Sequence, residues 1–321
     1  MEIRKLSDRL GLTVDEFATK LRVKPVSVSQ WEKGEVAPNR LALEALERLI
    51  EVNARSTAIT DLQIKQFEHL GAATIGSPFS PGQVRPAAAT LDWHLPFVAP
   101  KDEKEEQWSF AIYRVARFDD YFDAELLTFI QHPFFETVAQ RFLKTDAVEF
   151  FGSAILKTIP QSGARFNFWE HVDIRYRTSD LERTPRRMLC SLWLWLSDVT
   201  EDRGPLMYRP GSHRLIAAHM ETYPAPIDKS GVDELPDLAY APSVPLLARA
   251  GQVSVFTTAT IHGASINTGQ KARRAMIMNF IPRDLVMRDE WNVAQGLEAR
   301  DRYHRKLRKL LRPDRLHILH D

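Results

Sequence analysis

FWEHVDIRYR, Phe168 to Arg177, contains the pair around which the rest of the chain is organised, His171 and Asp173. In a β-strand, side chains two residues apart leave the same face, so a strand through this stretch aims an imidazole and a carboxylate at one point above the sheet. Such a point suits a cation. With ten histidines in the chain, about one His-x-acid pair is expected by chance, and His219-Met220-Glu221 is another, so spacing alone does not choose between them.

The choice comes from residues 251–280, GQVSVFTTATIHGASINTGQKARRAMIMNF. A β-rich run ends at His262-Gly263, turns through Asn267-Thr268-Gly269 and returns as a strand beginning at Arg273-Arg274. His262 is therefore the candidate third ligand. Two imidazoles and a carboxylate on one side of a cation make the facial triad of non-haem Fe(II) oxygenases, which leaves the opposite positions open. The hairpin also brings a guanidinium near the ligand. Arginine suits a carboxylate through two parallel hydrogen bonds, and 2-oxoglutarate carries a distal carboxylate that must be held.

From Ala147 onward, short β-rich runs separated by turn signals point to a sandwich or barrel rather than a parallel sheet. EFFGSAILKTI, FNFWEHVDIRY, MLCSLWLWL, GQVSVFTT and RRAMIMNFI supply the strands. In MLCSLWLWL, Cys190, Leu192, Leu194 and Leu196 share one face, while Ser191, Trp193 and Trp195 share the other. That second face is either a pocket lining or an aromatic core layer. Upstream, Asp61 to Leu70 reads as a helix stopped by Gly71, with a strand over Ala72 to Ile75. SPFSPGQVRP reads as a loop able to close over a site, and KDEKEE as a solvated turn. Helices are expected over Asp123 to Ile130 and Pro133 to Phe142.

Several blocks together resemble the phytanoyl-CoA dioxygenase family of Fe(II)- and 2-oxoglutarate-dependent oxygenases, from about Ile59 to Phe280. They are DLQIKQFEHLGAATI, LKTIPQSG, HVD, GPLMYRPGSHR, and HGASIN followed by RR. The resemblance implies an α+β chain whose catalytic domain is a double-stranded β-helix (jelly roll, cupin-like) with flanking helices. It implies Fe(II) held by His171, Asp173 and His262, and 2-oxoglutarate gripped by Arg273, with Arg274 as the alternative. Lys157 would stand near the cosubstrate and Trp193 would line its pocket. Val172 and Ile174 replace the Gln and Gly that many members carry, so the pocket wall differs and the substrate does not carry over. Halogenating members replace the acid with a small residue; retention of Asp173 favours hydroxylation or another oxidation, with succinate and carbon dioxide as coproducts.

His213, in RPGSHR, has no carboxylate partner two residues away and reads as a structural hydrogen-bonding residue. His219 and Glu221 fall in an expected loop, and Ala217 to Pro245 reads as an insertion acting as a lid or substrate-recognition segment. Arg165, Arg175 and Arg177, close to the first ligands, point to an anionic small-molecule substrate.

The 321 residues are 44% hydrophobic and 26% charged with a net charge of +1, which fits two globular units and gives no global field for nucleic acid or membrane. The single cysteine, Cys190, reads as a small buried hydrophobe in a reducing compartment. No signal peptide or apolar run of membrane-spanning length is visible, so a cytoplasmic protein with no membrane partner is expected.

Residues 1–55 have apolar residues at helical spacing, from Ile3, Leu6 and Leu10 through Phe17, Leu21, Val28 and Trp31 to Leu46 and Leu49. Thr13 and Glu16 form a capping box, and Gly34 closes the helix of Trp31. LTVDEFATKLRVKPVSVSQWEKGEVAP resembles the helix-turn-helix of the Cro/repressor (XRE) type, a small all-α domain. The resemblance implies a recognition helix from Pro25 to Lys33 in the major groove, with Lys24, Ser27, Ser29 and Gln30 at phosphates or bases and a homodimer on two half-sites. Val14 stands where that family often has Gln. Protein docking or dimerisation is the competing role for this segment.

The organisation expected is thus a helix-turn-helix unit over 1–55, an oxygenase domain over 59–290 and a basic C-terminal helix over 291–321, amphipathic from Ala299 to Arg315 with Tyr303, Leu307, Leu310 and Leu311 on one side. Two alternatives to a small-molecule oxygenase remain: a transcriptional regulator whose oxygenase-like domain senses a ligand, iron or oxygen, and an oxygenase delivered to nucleic acid as substrate.

Overall fold

The computed structural model describes residues 13–46, 59–96, 114–117, 121–160, 170–223, 235–287 and 294–320. Ile3, Leu6, Leu10, Arg165, the KDEKEE run and the link around Asn53 lie outside them.

Three helices open the chain: α1 (Val14–Leu21), α2 (Pro25–Glu32) and α3 (residues 40–46). The expected capping box is present, with Glu16 N–H donating to Thr13 Oγ1 at 3.2 Å and Thr13 N–H donating to Glu16 Oε2 at 3.0 Å. α2 ends as Gly34 takes φ +73° and the Glu35 N–H returns to the Gln30 carbonyl at 2.9 Å, a left-handed closure that glycine makes without steric penalty. Phe17, Ala18, Leu21, Val28 and Leu46 form a small core of their own.

α4 (Asp61–Leu70) stops at Gly71 and leads into β1 (Ala72–Ile75), as the spacing predicts. The next stretch corrects the expected loop. Only its first residues are irregular; Pro81 begins α5 (Pro81–His94). Proline's fixed φ suits a first helical position, and Gln83 Oε1 accepts the Ser80 N–H at 2.8 Å. After β2 (Arg114–Arg117), α6 (Ala124–Ile130) and α7 (Pro133–Leu143) follow, then β3 (Val148–Thr158).

The remaining elements are α8 (Thr178–Glu182), β4 (Cys190–Trp195), β5 (Leu206–Tyr208), α9 (Ser212–Thr222), β6 (Val244–Leu246), β7 (Val253–Thr257), β8 (His262–Gly263), β9 (Arg273–Pro282) and α10 (Ala294–Leu307). A six-stranded sheet runs β1-β7-β4-β9-β3-β2 and a three-stranded sheet runs β6-β5-β8, with every pairing antiparallel. Two facing antiparallel sheets are the jelly-roll arrangement of a double-stranded β-helix.

The large sheet has two apolar faces with different partners. Cys190, Leu192 and Leu194, with Val253, Val255, Met276, Met278 and Phe280, pack outward against Phe135, Val138 and Phe142 of α7 and Tyr303 and Leu307 of α10. Trp193, Trp195, Leu156, Phe256 and Ala275 face inward onto Leu206, Tyr208 and Leu246 of the small sheet. Each fully buried aliphatic side chain contributes about 1.5–3 kcal/mol. Cys190 is fully buried, and desolvation pushes its thiol up to about 12, which fits the packing role read from the sequence.

Two further expectations shift. The C-terminal helix ends at Leu307 and a 3-10 helix over Pro313–Ile318 follows, leaving Leu310 exposed while Leu311, Ile318 and Leu319 join the main core. The insertion expected from Ala217 begins inside α9, so His219 and Glu221 sit on a helix, where the Glu221 carboxylate caps α8 by accepting the Thr178 N–H at 3.1 Å.

Gly71 joins α4 to the large sheet at φ +85°, and a Cβ there would lie 2.0 Å from Thr260 Oγ1 and 2.9 Å from His213 Nδ1. Gly71→Ala should therefore cost about 2–4 kcal/mol through backbone strain and overpacking. Urea unfolding checks this as a fall in midpoint with an unchanged slope.

Candidate metal centre

Phe168 and Trp169 lie outside the described residues; over 170–177 the strand expected through FWEHVDIRYR shows a single rung. His171 pairs with His262 as an isolated bridge, each residue's N–H donating to the other's carbonyl at 2.9 Å, and residues 172–177 leave the ladder. The Asp173 N–H reaches the Thr258 carbonyl at 2.9 Å instead. The two ligand candidates still converge without a regular strand, with His171 Nε2 3.5 Å from Asp173 Oδ1.

Their donor atoms and that of His262 all lie within 4.8 Å of one another. His171 Nε2 is 3.5 Å from Asp173 Oδ1 and His262 Nε2 is 3.7 Å from Asp173 Oδ2. Adjacent donors on a small octahedral cation stand about 3 Å apart, so small side-chain adjustments would bring all three onto one ion. The His262 tautomer suits this. A carbonyl can only accept, so the 2.8 Å contact of His262 Nδ1 with the Thr260 carbonyl places the proton on Nδ1 and leaves the Nε2 lone pair facing Asp173. Burial lowers the His262 pKa, aided by His171 and opposed by Asp173 and the Thr260 bond, and the neutral form is the one that ligates. Asp173 is the exposed member, at 48%, so the open side of the group is toward solvent.

Strand alternation sorts the basic residues. Thr158 pairs with Arg273 and Lys157 with Arg274 in the β3–β9 register, so the two pairs occupy opposite faces. Arg273 is fully buried on the inner side, with Nε donating to Thr158 Oγ1 at 3.1 Å and its guanidinium carbon 5.7 Å from the Trp195 ring centre. Lys157 and Arg274 point to the helix-covered side and share Asp92 of α5. Lys157 Nζ lies 2.6 Å from Oδ1, and Arg274 Nε and Nη2 donate to Oδ1 and Oδ2 at 2.9 and 2.7 Å. Burial alone would raise the Asp92 carboxyl, but these two cations hold it below its usual range. The expectation that Lys157 stands in the cosubstrate pocket is therefore corrected by one residue of pleat, and of the two arginines only Arg273 faces inward.

Trp193 does lie on the inner face, its indole N–H donating to Ser191 Oγ at 3.0 Å, and Trp195 is a core residue bonded to Ser254 Oγ at 2.8 Å. Arg175 lies toward Tyr240, whose phenol is pushed up to about 12 by burial against the pull of Arg209 and Arg175. Arg177 caps α8, its N–H donating to Asp180 Oδ2 at 3.0 Å. In the N-terminal unit Lys24 is exposed at the start of α2, while Ser27, Ser29 and Gln30 are half-buried along it. Sequence reasoning passed over Thr158, Asp92 and the Thr260 carbonyl; the first two carry no motif, and the third is backbone. A cavity of about 750 Å³ lined by Phe67, Arg186, His213 and Leu215 includes none of the three ligand candidates, so the donor cluster and not this cavity locates the chemistry.

His213 is buried, with Nε2 donating to the Glu68 carbonyl at 3.2 Å, the structural role expected of it. Desolvation, with lesser help from Arg214 and Arg186, lowers its pKa to about 4. Its unfolded value is near 6.5, so its stabilisation is complete above that pH and is lost as the pH falls toward 4. Between pH 7 and pH 5 the wild type should lose about 2 kcal/mol more than His213→Gln, measured by denaturant unfolding at both pH values.

The phytanoyl-CoA dioxygenase (PhyH) family model matches residues 67–275, and a helix-turn-helix model matches residues 1–55. The dioxygenase trt7 of Aspergillus terreus is 26% identical over 167 residues, 51% of each protein, and the dioxygenase cdmD of Talaromyces verruculosus is 28% identical over 124 residues, 38% of this chain and 36% of that one. The chain thus spans about half or less of the curated relatives it matches. Among solved structures, the non-haem alpha-ketoglutarate-dependent carbocyclase SnoK from nogalamycin biosynthesis superposes with a TM-score of 0.55 at 20% identity, covering 75% of this chain and 90% of that one. The epimerase SnoN, in complex with Fe3+, alpha-ketoglutarate and nogalamycin RO, gives 0.50 at 16% identity, covering 70% and 83%. At these identities the structures establish a shared fold. With the two-sheet barrel, the converging donors and a family model spanning most of the chain, the protein belongs to the phytanoyl-CoA dioxygenase (PhyH) family.

Proposed function

We propose that the chain is an Fe(II)- and 2-oxoglutarate-dependent dioxygenase that hydroxylates or otherwise oxidises a small molecule, releasing succinate and carbon dioxide. The observation that carries this is the approach of His171, Asp173 and His262 to within 4.8 Å, with the His262 tautomer set for ligation. These three would hold the iron. Iron and 2-oxoglutarate together supply the oxygen-activating chemistry, and the protein supplies position and charge.

Arg273 would bind the distal carboxylate of 2-oxoglutarate. It is buried among apolar side chains and aromatic rings, where a carboxylate partner offsets the cost of holding a guanidinium out of water. Thr158 orients its Nε edge, Trp195 is the ring beside it, and Trp193, farther along the same inner face, would line the pocket. Lys157 is left out of this set because Asp92 engages it on the other face. The arginines after Asp173 favour an anionic substrate, and the exposed edge of Asp173 is the side from which it would approach. The chain is read as a helix-turn-helix unit over 1–55, the oxygenase domain over 59–290 and the segment over 291–321. Among the described residues no helix is long and apolar enough to cross a membrane.

Anaerobic titration with Fe(II) and then 2-oxoglutarate, followed by visible absorption, tests the reading. The weak charge-transfer band of the chelate should form in the wild type and be lost in His171→Ala and Asp173→Ala with the fold intact by circular dichroism. Arg273→Gln should keep the metal and raise the 2-oxoglutarate requirement by about tenfold or more, as expected when a charged, bidentate partner is removed. A band that persists in both ligand variants would overturn the assignment.

The match at residues 1–55 favours a second reading, a DNA-bound regulator whose barrel senses 2-oxoglutarate, iron or oxygen, with Lys24, Ser27, Ser29 and Gln30 at the DNA and a homodimer on two half-sites. Gel mobility of DNA from upstream of the protein's own gene, with and without Fe(II) and 2-oxoglutarate, should show a shift at low salt that weakens as salt rises. No shift in either state would eliminate it.

A further inference from the structure

The two histidines of the proposed metal centre sit on short, weakly paired backbone. β8 is two residues long, and among the described residues the His171 segment meets it through a single rung. One rung sets the separation of two chains but leaves each able to tilt about it. The His262 ring is tied at Nδ1 to the Thr260 carbonyl, so what is still needed is to tie together the two backbone segments that carry the histidines.

Arg209 is placed to do so. It directly follows β5, whose Tyr208 pairs with His262, so three segments lie side by side in the order Tyr208, His262, His171. The Arg209 N–H donates to the carbonyl of Ile261, the residue before His262, at 2.9 Å. Its side chain reaches to Glu170, the residue before His171. Nε donates to Oε1 at 2.8 Å and Nη2 to Oε2 at 2.6 Å, a planar two-bond contact on a carboxylate only 9% exposed. One residue therefore ties together the positions preceding both histidines, through its backbone on one side and its side chain on the other.

We propose that the Arg209–Glu170 pair is a positioning clamp that presets the spacing and tilt of His171 and His262 for the metal. The inference rests on the metal reading above and deepens it. A guanidinium suits the task because its fork is planar and meets a carboxylate in one orientation, whereas an ammonium would keep the charge and leave Glu170 free to rotate. Residues that orient ligands without touching the ion change metal affinity by about 10–100-fold when lost.

The test is Co(II) titration of the metal-free full-length protein, read by the visible d–d bands, for wild type, Arg209→Gln, Arg209→Lys, Glu170→Gln, the Arg209→Gln/Glu170→Gln double variant and His171→Ala. Arg209→Gln and Glu170→Gln should each bind Co(II) about tenfold more weakly with altered band positions, at a temperature where circular dichroism shows the metal-free variant fully folded. Arg209→Lys should fall with the Gln variant in band position, because charge without the fork does not restore the angle. The double variant should be no worse than either single one, the signature of one shared interaction. If Arg209→Gln fails to fold, Glu170→Gln and Arg209→Lys carry the same test. Wild-type affinity and spectrum in the clamp variants, with binding lost in His171→Ala, would overturn the clamp and leave the metal centre standing; full binding by His171→Ala would overturn the metal centre and the clamp with it.

Discussion

The exchange of backbone hydrogen bonds between His171 and His262 is the constraint on which the candidate site depends. It joins two segments 91 positions apart in the chain as direct neighbours, each N–H on the other's carbonyl at 2.9 Å. Among the described residues the two meet at one rung, and their pairing is supported by what flanks it. Asp173 is anchored to the Thr258 carbonyl, Ile261 donates its N–H to Ser212 Oγ at the start of α9, and His262 Nδ1 is tied to Thr260. A short helix start and a few loop carbonyls thus do the work that a ladder does in a longer strand.

The same division of labour shapes the large sheet. Its outer face is covered by α7 and α10 through aliphatic and phenylalanine packing, and its inner face carries tryptophans, serines and Arg273. Polar groups on the inner face are satisfied locally, as with Trp195 on Ser254 and Ser254 on Thr74 Oγ1 at 2.9 Å. A buried arginine is tolerated there because Thr158 and the aromatic ring beside it replace part of its hydration. Asp92 does the converse on the outer face, drawing Lys157 and Arg274 together and so pinning β3 to β9 next to the residues that face inward.

The N-terminal unit is joined to this framework by a specific contact. Glu16, which caps α1, also accepts the Ser80 hydroxyl at 2.9 Å, and Ser80 precedes the helix that carries Asp92. Ser80 hydrogen-bonding, α5 and the Asp92 cluster form a continuous structural connection from the helix-turn-helix to the strands bearing Arg273. The two functional readings, catalysis and regulation, therefore concern parts that touch.

The amino-acid sequence by itself determined several elements and put forward the candidate donor set. Apolar alternation in MLCSLWLWL assigned the two faces of β4, and the Thr13–Glu16 spacing and Gly34 bounded α1 and α2, because local periodicity and capping are properties of neighbouring residues. His171, Asp173 and His262 became candidates through the downstream HGASIN block and the family resemblance, since spacing alone did not separate them from His219 and Glu221. Tertiary structure alone decided which face each basic side chain takes, since Lys157 and Thr158 differ by one residue and only the register with β9 says which of them meets Arg273. It also decided that HVD needs no strand, because that outcome depends on His262 and Thr258, distant in sequence; the helix start at Pro81, by contrast, was local, carried by Ser80 and Gln83 three residues apart. Arg209 is the plainest case: it sits in the RPGSHR block as an ordinary surface residue until folding brings Glu170 and Ile261 to either side of it.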